Sequence, residues 1–208
     1  MRPRALTLLI AMALVCAVLV TACGGPVGPT PGSVALRRSD VPAGWTRCGW
    51  SGSLGGYLHA ERKDDARSAS SVAESWTALQ KVGATSAQVT GYVAARADCR
   101  SALGGTAGPS ALTWTIAYGS ARQAHRGYER GVLGFPTPDP GRLQAGLEIG
   151  SSTGLSADSW ILTQTTPAPA LYVGWWREGA LTTLLLVLGL PATSANPIAL
   201  RVDARMSG

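Results

Sequence analysis

Residues 159–188 read SWILTQTTPAPALYVGWWREGALTTLLLVL, and this stretch decides the fold. Three apolar-rich segments, 159–165, 170–177 and 181–188, are separated only by the prolines at 167 and 169 and by Glu178-Gly179. Connections this short leave no room for a crossover helix, so the three segments predict neighbouring antiparallel strands. Residues 184–188 (LLLVL) are far too few to span a bilayer and fit a strand buried on both faces.

The pattern extends upstream. Residues 142–149 alternate, with Leu143, Ala145, Leu147 and Ile149 set against Arg142, Gln144, Gly146 and Glu148, which predicts a half-buried strand. Residues 110–118 place Leu112, Trp114, Ile116 and Tyr118 on one strand face, with Thr113 and Thr115 on the other. Residues 88–96 alternate less cleanly and predict another strand. Gly/Ser-rich residues 51–56 suggest a turn, and 57–62 a short strand. Helical spacing of Val72, Trp76, Leu79 and Val82 predicts a helix over 68–82, capped by Ser71 with Glu74 or by an earlier serine and ended by Gly83. A second helix opens at Gly119-Ser120, with an apolar side of Ala121, Ala124, Tyr128, Val132 and Phe135 that is weakened near Gly131. A last helix is expected from Asn196 or Pro197, burying Ile198, Val202 and Met206. The expected class is α+β: an antiparallel sheet of about five to seven strands with about three helices packed on one face.

The N-terminus reads differently. Arg2 and Arg4 precede an apolar run over 5–22, and Val20-Thr21-Ala22-Cys23 is followed at once by Gly24-Gly25. A basic start, an apolar core and small residues before a cysteine resemble a bacterial lipobox. That resemblance implies a signal peptide over 1–22, cleavage before Cys23, and a diacylglyceryl group on its thiol. Two acyl chains give stable membrane anchoring where one does not. An uncleaved transmembrane helix and an ordinary signal peptide remain alternatives. Residues 24–33 (GGPVGPTPGS) carry three prolines and no charge, so 23–33 are expected to act as a tether below a single domain over 34–208.

The formal charge is +6, and sixteen of the eighteen basic residues are arginine. They are scattered among acids, which argues against nucleic acid as a partner. With Cys16 in the leader and Cys23 lipidated, Cys48 and Cys99 remain. In an oxidising compartment they are expected to form a disulfide. The loop of about 52 residues it closes is worth roughly 4 kcal/mol by chain entropy.

No catalytic signature stands out. Residues 150–154 (GSSTG) match G-x-S-x-G by letter, but a nucleophile elbow needs a following helix and a later histidine, and no histidine follows His125. His59 and His125 lack partners at metal-ligand spacing, so neither a metal nor any other cofactor is expected. A carboxylate pair brought together by folding, such as Glu148 with Asp158, stays open. Seven tryptophans beside one phenylalanine are unusual. Tyr172 and Trp176 share one strand face across Gly174. On an open face they can floor a groove for a sugar, lipid or peptide; on a covered face they are core.

Cys23, the run 39–45 (SDVPAGW) and the late 174–179 (GWWREG) resemble the extracellular sensor-like domain of mycobacterial serine/threonine kinases and related lipoproteins. The resemblance implies ligand binding in a cleft without catalysis. That family usually has two disulfides where this chain can form one. The expectation is a lipid-anchored binding or sensor module on the outer side of the cell membrane. A secreted hydrolase using dispersed carboxylates, or a structural partner of a membrane complex, are the alternatives.

Overall fold

The computed structural model describes residues 28–94, 98–100, 108–139, 141, 144–166 and 169–208. Cys23 and the leader lie outside the described residues, as do Arg142 and Leu143 of the expected strand over 142–149.

The chain is α+β. Among the described residues five α-helices, α1 (Pro31–Val34), α2 (Leu54–Asp64), α3 (Ala66–Gln80), α4 (Ala121–Arg130) and α5 (Ala192–Ala204), accompany one sheet. The strands are β1 (Thr46–Arg47), β2 (Gly52–Ser53), β3 (Ala84–Val93), β4 (Ser110–Tyr118), β5 (Leu147–Ile149), β6 (Asp158–Gln164), β7 (Leu171–Glu178) and β8 (Leu181–Leu188). Their order is β1-β3-β4-β8-β7-β6-β5, with β2 also on β3, and every pairing is antiparallel. The segments over 159–188 form the expected meander, and β8 returns to lie against β4.

Helices stand on both faces of the sheet, not on one. On the first face α2, α3 and α4 bury Tyr57, Val72, Leu79 and Tyr128 against Trp114, Trp160, Trp175 and Leu184. Strand register lines these up: Val89, Trp114, Leu184, Trp175, Trp160 and Ile149 form one row across six strands. The next row is Gly91, Leu112, Leu186, Val173, Leu162 and Leu147. On the second face α1 and α5 cover Tyr92, Ala111, Tyr172, Trp176, Leu185 and Val187. Alternation along each strand explains why both faces need a cover: each is apolar.

Four expectations change. Residues 57–62 are helical, because Ser53 Oγ accepts from the Gly56 N–H and Leu54, Tyr57 and Leu58 then bury one side. Two glycines in that first turn disguised it. Helix α3 is capped by Asp65, whose carboxylate accepts from the N–H groups of Arg67 and Ser68, rather than by a serine. Of the strand expected over 142–149, the described residues hold only Leu147–Ile149 as strand, with a turn at Ala145-Gly146 before it. Helix α5 starts at Ala192, four residues before Asn196, so Pro197 lies in its second turn.

The expected tether also becomes ordered earlier. Thr30 and Ser33 cap one another across α1, and Val34 is fully buried. Arg205 of α5 holds this segment down. Its guanidinium donates to the Asp40 carboxylate at 2.7 and 3.0 Å and to the carbonyls of Val34 and Ala35 at 3.2 and 3.3 Å. Leu36 N–H donates to Thr113 Oγ1 of β4 at 3.2 Å. Asp40 is 2 % exposed, so the pair is a buried one.

Cys48 and Cys99 are joined by a disulfide. It ties the β1–β2 connection to the segment that follows β3.

Candidate functional site

Along the row from Leu112 to Leu147 the cover on the first face is incomplete. Leu112 and Val173 are buried, while Leu186, Leu162 and Leu147 stay half-exposed, as do Leu171 and Leu188 on the row beyond. A trough of aliphatic side chains therefore crosses five strands, β4, β8, β7, β6 and β5. At about 4.8 Å per strand it runs roughly 19 Å.

One turn crosses this trough. Helix α4 ends at Arg130, short of the expected Val132 and Phe135, because Gly131 takes φ +74°. Three donors then converge on the Tyr128 carbonyl: Gly131 N–H at 3.1 Å, Thr137 Oγ1 at 2.5 Å and Trp175 Nε1 at 3.0 Å. The Tyr128 ring also stacks on Trp175, with centroids 6.2 Å apart and planes 8° from parallel. So α4 is fixed to β7, and the chain beyond it must turn. Val132 and Phe135 exchange backbone hydrogen bonds at 2.8 and 3.1 Å around Leu133 and Gly134, whose φ values are +52° and +79°. Two positive φ values are those of a type I′ turn. Among the described residues Leu133 is the only non-glycine with positive φ, a conformation that costs about 1–2 kcal/mol. Its N–H donates to Ser75 Oγ of α3, and its side chain packs on the first-face core. Backbone strain of this kind is found where structure serves a ligand.

Cavities open on either side of the turn. One, of about 360 Å³, is walled by Leu112, Leu171, Leu186 and Leu188 of the sheet, by Val72 of α3, and by Leu133 and Phe135. Its polar groups are hydroxyls of Tyr57, Ser68 and Ser110; no charged side chain lines it among the described residues. A second, of about 260 Å³, lies beyond Phe135 against Leu147, Trp160 and Leu162. Phe135 and Leu133 also line a third, of about 340 Å³, between α3 and the turn. The first and third volumes lie at the lower end of the range of small-molecule sites, and the second falls just below it.

A further cavity of about 410 Å³ adjoins the first at Tyr57 and Ser68, which line both. Its walls are Trp50, Tyr57, Glu61, Asp64, Asp65 and Arg100. Trp50 and Tyr57 meet edge to face, 5.3 Å between centroids. Arg100 pairs with Asp64. Burial, with the charge of Glu61, pushes the Tyr57 hydroxyl up to about 12, so it stays neutral at ordinary pH.

Tyr172 and Trp176 are not in this trough. They are 1 % and 0 % exposed beneath α5, and the Tyr172 hydroxyl donates to Asn196 Oδ1 at 3.0 Å. The covered-face alternative therefore holds, and the pair floors no open groove. Glu148 and Asp158 stand on opposite faces of the sheet, since Glu148 pairs with Ile161, three residues from Asp158. Asp158 is engaged by Arg177, at 2.5 Å, and by His125, at 3.2 Å. Ser152 of the GSSTG run sits in a 3-10 turn, its hydroxyl bonded to the Ile149 backbone. The described residues contain no group of three or more His, Cys, Asp or Glu able to hold a metal, and no helix long and apolar enough to cross a membrane.

The trough was missed in the sequence because its parts are scattered. The one local sign was large apolar residues, Val132, Leu133 and Phe135, between glycines after a helix.

No family model, no curated protein and no solved structure matches this chain.

Proposed function

We propose that this protein is a non-enzymatic, lipid-anchored binding module on the outer side of the cell membrane, and that its ligand site is the aliphatic trough beneath the Val132–Phe135 turn. One observation carries the reading: partly exposed leucines from β5, β6, β7 and β8 line cavities of about 360 and 260 Å³ under a strained turn. A face meant only for packing buries such side chains. An alkyl chain laid there removes apolar surface from water at about 0.8 kcal/mol per methylene. Among the described residues lining the trough no nucleophile stands beside a base, which favours holding over conversion. The leader ending at Cys23 supports the anchor.

Native mass spectrometry of residues 24–208, which hold all eight strands and both cores, is expected to find a bound alkyl-containing molecule. Leu186→Trp, which fills the first cavity, is expected to abolish that mass while circular dichroism stays unchanged. A wild-type protein that carries no such molecule and binds no pyrene-labelled alkyl chain overturns the reading. For the anchor, full-length protein is expected to incorporate labelled palmitate and Cys23→Ser is not; label retained by Cys23→Ser rules out lipidation there.

A further inference from the structure

We infer that the ligand of the trough is a single-chain amphiphile with a cationic head, its chain in the leucine-lined cavity and its head in the adjoining acidic one. This rests on the trough being the ligand site. Three observations carry it further.

The two cavities are neighbours along one row of the sheet. Trp50 lies over Gly91, where a β-carbon would come within 2.2 Å of the indole. Gly91 pairs with Leu112, and Leu112 with Leu186. The row thus leads from the Trp50 wall of the acidic cavity into the leucines, with Tyr57 and Ser68 lining both.

The two cavities differ in chemistry. The leucine cavity offers no cation among its described walls, so nothing there pairs with a carboxylate or phosphate head. Among the described residues, the adjoining one is lined by three carboxylates, Glu61, Asp64 and Asp65, and one guanidinium, that of Arg100, which pairs with Asp64; Asp65 also caps α3. Tyr57, Glu61 and Asp64 recur at helical spacing along α2, which brings the acids to the same side as the aromatic wall. Arg62 and Lys63 fall between them in sequence, around the helix from that stripe.

The wall itself suits a cation. The rings of Trp50 and Tyr57 meet at 79°, forming a corner of two aromatic surfaces beside carboxylates. Aromatic faces with nearby acids bind ammonium groups, quaternary ones included.

The test is competition for a neutral pyrene-labelled alkyl probe bound to residues 24–208, using three twelve-carbon competitors below their micelle concentrations; laurate, whose carboxyl is its twelfth carbon, has one methylene less in its tail, worth about fourfold. Dodecyltrimethylammonium is expected to displace the probe at about a tenfold lower concentration than laurate, with dodecyl maltoside between them. Added salt and Glu61→Gln are each expected to narrow that gap. Laurate equal to or better than the ammonium overturns the cationic head and leaves the trough standing. A probe that never binds the wild-type protein overturns the trough as well.

Discussion

An alanine at Gly127 raises the intrinsic helix propensity of α4 by about 1 kcal/mol and is still expected to weaken the fold. Its β-carbon would come within 2.1 Å of the Tyr118 hydroxyl, which lies buried against the helix. Overpacking of this kind costs about 1–3 kcal/mol, so the loss outweighs the gain. Urea unfolding of Gly127→Ala is expected to show a lower midpoint than wild type; an unchanged or higher one refutes the contact. The glycine was visible in the sequence as a weakness in the helix, and its partner was not, since Tyr118 reaches it only across the sheet–helix interface. Tyr172 and Trp176 show the same limit. Period-two alternation assigned them correctly to one face. Whether α5 lies over that face is a long-range fact that alternation does not contain. Leu133 was beyond reach altogether, because its backbone conformation runs against its own preference and is held by Ser75 and the core.

Strands with long pairings were legible: β4, β7 and β8, paired along both sides, and β6, paired along its full length with β7, match the periodic segments within a residue or two. Helix α2 and strand β5 were not, for opposite reasons. Two glycines concealed a helix that tertiary packing stabilises, and clean alternation promised a longer strand than the turn at Ala145-Gly146 allows. The seating of α4 rests on a contact of equal reach. His125 on the helix and Arg177 on β7 both meet the Asp158 carboxylate on β6. Burial pushes that carboxyl up, and the hydrogen bonds and charges of Arg177 and His125 outweigh it, holding it below the ordinary value. A carboxyl lowered in the folded state adds stability above its unfolded value near pH 4, and that stability is lost as pH falls through the folded value. Urea midpoints taken from about pH 5 down to about pH 2 are therefore expected to fall less steeply in Arg177→Met than in wild type. Parallel profiles would show that Asp158 takes no part in acid unfolding.

At the scale of the whole molecule, one edge of the sheet is fastened covalently. Strands β1 and β2 have two residues each, too few to hold themselves to β3, and the Cys48–Cys99 disulfide pins the chain between them. Its loop of 51 residues is worth about 4 kcal/mol by chain entropy. Replacing both cysteines by alanine is expected to lower unfolding free energy by that order, read from urea midpoints without reductant, and to leave α5 and the second core assembled. A double variant as stable as wild type would show that the edge holds without its bond. The opposite end of the chain is fastened differently, and there the Arg205 contacts have a mechanical meaning. With the anchor proposed at Cys23, drag on the body would pull on the segment from Val34 to Asp40. That segment is gripped at once by Arg205 of the last helix, through four hydrogen bonds, and by Thr113 of an interior strand. The pull is shared across the two ends of the chain and the middle of the sheet. It falls on contacts to a C-terminal helix and an interior strand, not on the pairing of an edge strand.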